Sequence, residues 1–123
     1  MTSPDELVAM ELARLSANFR AQLPREHRAV EDEVAAWLDT PRDTRRFEIL
    51  SHHVHQLKGS GSTFGCPGIS LAARTLEQRI GEYHREVDAG GEPARAVVES
   101  AVAELQNEMK RAQTQSQDPE ASP

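Results

Sequence analysis

The chain has 123 residues, enough for one domain with a single modest core, and only 4% of them are aromatic, so that core must rest on Leu, Val, Ile and Ala. Such a composition suits helices better than a β-sandwich, which draws on more aromatic and β-branched side chains. A net charge of -6 argues against general nucleic-acid binding, and the single cysteine, Cys66, excludes an internal disulfide and fits a reducing compartment.

A first helix can open at Ser3 or Pro4, with Leu7, Val8, Leu12, Leu15, Phe19 and Leu23 at helical spacing. The acidic residues among them and the lack of a long apolar run argue against a signal peptide. Pro24 should kink or restart the helix, because proline lacks the amide a helix interior needs. A second segment follows with Val30, Val34, Trp37 and Leu38 apolar. Asp39 to Asp43 reads as a tight connection with helix-start chemistry, and a third helix then runs to about Phe64. Gly65-Cys66-Pro67-Gly68 is a turn, with Pro67 suited to the first position of a fourth helix that ends near Asp88. Ala89-Gly90-Gly91 stops it, and Glu92-Pro93 opens a fifth helix with Val97, Val98, Ala101, Leu105 and Met109 on one stripe. Nowhere do roughly 18 apolar residues follow one another, so no membrane span is expected.

Short loops make neighbouring helices antiparallel. The expectation is an all-α fold: an antiparallel up-and-down four-helix bundle with an additional N-terminal helix packed across or along it. One domain is expected over residues 1–112, with 113–123 a polar, disordered tail.

The informative stretch is Ser51-His52-His53-Val54-His55-Gln56-Leu57-Lys58-Gly59-Ser60-Gly61. The apolar seam of this helix is Phe47, Leu50, Val54, Leu57, Gly61 and Phe64, in steps of three and four. His55 lies one residue, about 100° of rotation, beyond Val54 and so falls on the flank. Lys58 and Gly59 are its neighbours one turn on. A glycine inside a helix costs roughly 1 kcal/mol relative to alanine. Gly61 is on the seam, where close packing can require it. Gly59 is off the seam, and a bared surface one turn from an imidazole suggests that something large must approach that ring.

The fourth helix has its own seam, Ile69, Ala73, Leu76, Ile80, Tyr83 and Val87. His55 is eleven residues before Cys66 and Glu77 eleven after it, so a hairpin centred on Cys66 brings them to one height. Placing both seams in one heptad register puts Lys58 and Glu77 on facing flanks. Glu77 is then positioned to accept a hydrogen bond from Nδ1–H of His55, which would leave the Nε2 lone pair free.

His55-Gln56-Leu57-Lys58-Gly59-Ser60, then Gly65, Leu71 and Leu76-Glu77, resemble the signature of the histidine-containing phosphotransfer (HPt) family. Ser62-Thr63-Phe64-Gly65 also looks like the phosphoacceptor domain of chemotaxis histidine kinases. The motif spans about 25 residues, and the helical layout extends the likeness to most of the chain. Gly61 departs from the family's commoner serine or alanine, and the His52-His53 doublet is a second departure.

The resemblance implies that His55 is the phosphoacceptor, Lys58 its electrostatic partner, Gly59 the clearance residue and Glu77 the residue that orients the ring. It implies a cytoplasmic, monomeric phosphorelay carrier that takes a phosphoryl group from a receiver-domain aspartate and gives it to another receiver. The partners would be receiver domains of a hybrid histidine kinase or a response regulator, with no nucleic acid and no membrane. No cofactor is expected in the chain itself; Mg²⁺ would belong to the partner receiver. No glycine-rich nucleotide loop is present, so no kinase activity of its own is expected. Two other roles fit the same signature: a module phosphorylated by a separate histidine kinase catalytic domain, and a bundle that binds receivers without transfer. A metal site at His52, His53, His55 and Cys66 is disfavoured, because His53 points elsewhere and Cys66 is several turns away.

Overall fold

The computed structural model describes residues 2–116, which form five helices and, among the described residues, no strand. They are α1 (Pro4–Ala21), α2 (Leu23–Asp39), α3 (Thr44–Thr63), α4 (Pro67–Asp88) and α5 (Arg95–Ser116).

Local chemistry sets most of these boundaries. Ser3 caps α1, its hydroxyl accepting from the Glu6 amide at 3.1 Å, and Pro4 fills the first turn. The break expected at Pro24 is a single residue, Gln22, between α1 and α2. Asp43 caps α3 by accepting from the Arg46 amide at 3.1 Å. That helix ends because Gly65 takes a φ of +74°, which turns the chain so that the Cys66 amide reaches the Gly61 carbonyl at 2.7 Å. The same device closes α4: Gly90 has a φ of +86° and the Gly91 amide donates to the Glu86 carbonyl at 2.8 Å.

Helix α3 packs on α2 and α4, while α5 packs on α4 and α2, so these four enclose a common core. Its largest fully buried side chains are Trp37, Leu23, Leu50, Ile69, Leu76, Ile80, Leu105 and Met109. Every member of the expected α4 seam is buried, as are Leu50, Val54, Leu57 and Gly61 of the α3 seam. Trp37, Tyr83 and Phe47 cluster with ring centroids 5.1 and 5.9 Å from the tryptophan.

Three expectations need correction. The apolar stripe of α1 is not packed along the bundle: Leu7, Val8, Leu12 and Leu15 are exposed, and no α1 residue is buried. The helix touches α5 and α2, and its C-terminal end is anchored by Phe19 against Phe64 at 5.4 Å and by Arg20, whose Nη2 donates to the Phe64 carbonyl at 3.4 Å. The fifth helix begins at Arg95 rather than at Glu92-Pro93. Arg95 pairs with Asp39 at 3.1 Å, and Val97, expected in the core stripe, is 49% exposed while Val98 is buried. The helix also continues through Gln113 to Ser116, because Ala112 is still buried and no glycine or proline interrupts it. The rest of the expected tail, 117–123, lies outside the described residues.

Candidate functional site

The off-seam flank of α3 meets the facing flank of α4 at three ionisable groups. Nδ1 of His55 lies 2.9 Å from Oε2 of Glu77, and Nζ of Lys58 donates to Oε1 of the same carboxylate at 2.9 Å. The register argument therefore holds to the residue: the two groups eleven positions either side of Cys66 are in contact.

The carboxylate at the centre is only partly exposed, whereas the His55 side chain is 63% exposed. Burial works to raise the Glu77 pKa, but hydrogen bonds and charge from Lys58 and His55 outweigh it and hold the carboxyl below its ordinary value. Glu77 is therefore ionised at neutral pH and offers only acceptors. The proton in the 2.9 Å contact must then sit on Nδ1 of His55, so in the neutral ring the lone pair is on Nε2.

The two glycines differ as expected. A Cβ placed on Gly59 would meet nothing within 4 Å. One on Gly61 would stand 2.9 Å from the Ser70 amide nitrogen and 3.1 Å from the Cys66 carbonyl oxygen, both backbone atoms of the following turn and helix. Gly61 thus lets α3 and α4 close together, and Gly59 keeps the surface beside His55 bare. From Gly59 a groove of about 640 Å³ opens between the end of α1 and α3, lined by Leu15, Phe19, Gln56, Leu57, Thr63 and His53 among others.

The remaining histidines of the motif diverge. His52 is exposed and makes no hydrogen bond. His53 turns to α2, where Nδ1 lies 2.9 Å from Glu33 and Nε2 contacts Glu26. The sequence carries a faint signal for this pairing, two glutamates seven residues apart on one face of α2. Among the described residues no group of His, Cys, Asp and Glu is arranged to hold a metal ion, and no helix is long and apolar enough to cross a membrane. Cys66 is buried at the start of α4 with a free thiol.

Comparison with known proteins adds one finding. The family model of the Hpt domain matches residues 8–115, nearly the whole described chain. No curated protein and no solved structure matches it.

Proposed function

The chain belongs to the Hpt domain family, whose members carry phosphoryl groups in two-component signalling without kinase activity of their own, and from that premise we propose that His55 is the phosphoacceptor of a receiver-to-receiver relay. The observation that carries this reading is the 2.9 Å contact of His55 Nδ1 with Glu77 on an otherwise open ring. With Nδ1–H held by Glu77, the neutral ring carries its lone pair on Nε2, on a side chain that is open to a partner.

The transfer step follows from that geometry. The Nε2 lone pair attacks the phosphorus of a receiver's aspartyl phosphate in line with the bond to the carboxylate oxygen. The N–P bond forms, the P–O bond breaks, and the receiver aspartate leaves as a carboxylate. The ring keeps its Nδ1 proton and becomes positively charged, and Glu77 stabilises that charge across the existing hydrogen bond. Lys58, one turn from His55, supplies positive charge near the transferring phosphoryl oxygens. The reverse attack by a second receiver's aspartate returns the ring to neutrality. Little covalent chemistry is asked of this chain, so positioning does most of the catalysis. Gly59 keeps clear the approach that brings phosphorus within about 3–3.5 Å of Nε2. The receiver docks over the groove beginning at Gly59, and any Mg²⁺ the step uses belongs to the receiver.

The same reading takes α2 to α5 as an antiparallel up-and-down four-helix bundle. Contacts of His55 with Glu77, Trp37 with Phe47 and His53 with Glu33 each join residues on either side of a short connection, which supports that order. It places the protein in the cytoplasm, acting as a monomer.

Incubation with a phosphorylated receiver domain from the same genome tests the assignment. The expected result is an acid-labile, base-stable label that persists in His52→Ala and His53→Ala and is lost in His55→Gln. Label that survives His55→Gln but disappears in His53→Ala would assign the acceptor role to the wrong histidine.

A further inference from the structure

His53 is not used by the transfer chemistry, yet it is the most heavily paired imidazole among the described residues. Its side chain is 18% exposed, and each ring nitrogen faces a different carboxylate of α2: Nδ1 lies 3.0 and 2.9 Å from the two oxygens of Glu33, and Nε2 contacts Oε2 of Glu26. An ionised carboxylate only accepts, so both contacts are hydrogen bonds only when both nitrogens carry protons. A neutral imidazole has one N–H and must turn a lone pair toward one of the two carboxylates.

We propose that His53 is a pH-responsive clasp between α3 and α2, which holds Glu26 and Glu33 together as the imidazolium and releases Glu26 when the ring gives up a proton to water.

The surroundings identify the carboxylate that leaves. Glu33 lies in mid-helix and presents both oxygens to one nitrogen. Glu26 sits in the first turn of α2, where the unpaired amides and the helix dipole accommodate a free anion. That turn follows directly on Gln22, the one-residue joint to α1, a helix with no fully buried residue. Glu26 and His53 also line the groove that begins at Gly59. Opening the clasp therefore loosens the joint and the groove wall together.

The charged groups bearing on the ring are Glu26 and Glu33 of α2. The polar groups that α1, the joint and α3 add to the same groove are Asn18, Gln22, Gln56, Ser60 and Thr63, none of them charged. Arg20 of α1 is turned to the Phe64 carbonyl. Burial of the His53 ring opposes its charge, but the hydrogen bonds to Glu26 and Glu33 and their charges outweigh it and raise the pKa above the ordinary value. A raised folded-state pKa stabilises the fold fully below the unfolded value, and that stabilisation is lost as pH rises through the folded value. The switch thus opens on the alkaline side.

The test is an NMR titration of the histidine rings of the full chain from roughly pH 5 to pH 9, with His53→Gln identifying the resonance. The proposal expects His53 to titrate above the ordinary imidazole value of about 6.5. It expects the backbone amides of Leu23, Arg25 and Glu26 to shift with the same midpoint, and Glu26→Gln to lower that midpoint. Titration of His53 at or below about 6.5, or first-turn amides indifferent to its protonation, would overturn it. The wild-type titration and Glu26→Gln decide the matter even where His53→Gln does not fold. Phosphotransfer is not measured, so failure here is separate from failure of the relay assignment.

Discussion

His53 and His55 stand two residues apart on one helix, and each is bonded to glutamate, but the number of carboxylates differs. His53 is largely covered and holds a carboxylate at both nitrogens; His55 is open and holds one at Nδ1 alone. Two anions raise the pKa of His53 and favour a proton on both of its nitrogens. One anion at Nδ1 fixes a proton on that atom of His55 and, in the neutral ring, leaves the lone pair on the other nitrogen, as the proposed transfer requires. The helix geometry that separates them by about 200° aims one ring at the two carboxylates of α2 and the other at the single carboxylate of Glu77 on α4. Proximity in sequence therefore says nothing about shared function; the facing helix decides it.

The largest expected effect breaks this comparison outright. His55→Gln should abolish transfer from a phospho-receiver while the melting temperature stays near wild type, because the ring is exposed. His53→Gln should do the reverse, lowering the melting temperature near neutral pH while most transfer remains. Equal losses of transfer in both would remove the distinction between the rings.

The two glycines of the same helix sharpen it. Gly59→Gln should leave the protein folded but slow transfer by about 10²-fold or more, since displacement of the reacting atoms by as little as 1 Å can have that effect. Gly59→Ala should stabilise the fold by up to about 1 kcal/mol, because it replaces a poor helix former in open space. Gly61→Ala should destabilise it by about 1–3 kcal/mol, because its Cβ would press on the backbone of Ser70 and Cys66. Thermal melts paired with a transfer time course check all three.

Removal of the orienting carboxylate should matter less than removal of the nucleophile. Glu77→Ala should slow transfer without abolishing it, because the ring loses the partner that fixes its tautomer and offsets the charge it gains. A rate equal to wild type would reduce Glu77 to a surface ion-pair partner of Lys58.

The smallest effect is on stability in acid. The lowered pKa of Glu77 means that its pairing stabilises the fold above the ordinary carboxyl value and that this contribution fades as pH falls through the folded value. For a partly exposed pair the contribution is at most about 1 kcal/mol. The difference in melting temperature between wild type and Glu77→Gln should accordingly shrink as pH is lowered below about 4.5.

Much of the site was legible in the sequence because α3 and α4 each bury a single clean seam across a short turn. Once both seams face one another, the positions of His55, Lys58 and Glu77 follow from counting outward from Cys66. Gly59 and Gly61 were separable for the same reason: the seam passes through one and misses the other. Helix α1 was not legible in this way. Its stripe of Leu7, Val8, Leu12 and Leu15 has helical spacing but stays exposed, because α1 meets the core through Phe19 near its end and not through that stripe. The start of α5 was misplaced because Pro93 fits a first helical turn, while the chain leaving Gly90 and Gly91 needs three more residues before helical bonding begins. The pairing of His53 with Glu26 and Glu33 depends on the register of α2 against α3. Pro41 and the flanking polar residues of that connection leave the register undetermined from the sequence.

The central claim is that Nε2 of His55 receives the phosphoryl group while Nδ1 keeps its proton against Glu77. The direct measurement is phosphorus–nitrogen correlation NMR on the chain labelled with ¹⁵N in its histidines, after phosphorylation by a phospho-receiver. The account predicts a single phosphorus–nitrogen coupling, to Nε2 of His55, with the Nδ1 proton still present and bonded to the carboxylate. Coupling to Nδ1 of His55, or to either ring nitrogen of His52 or His53, would contradict it.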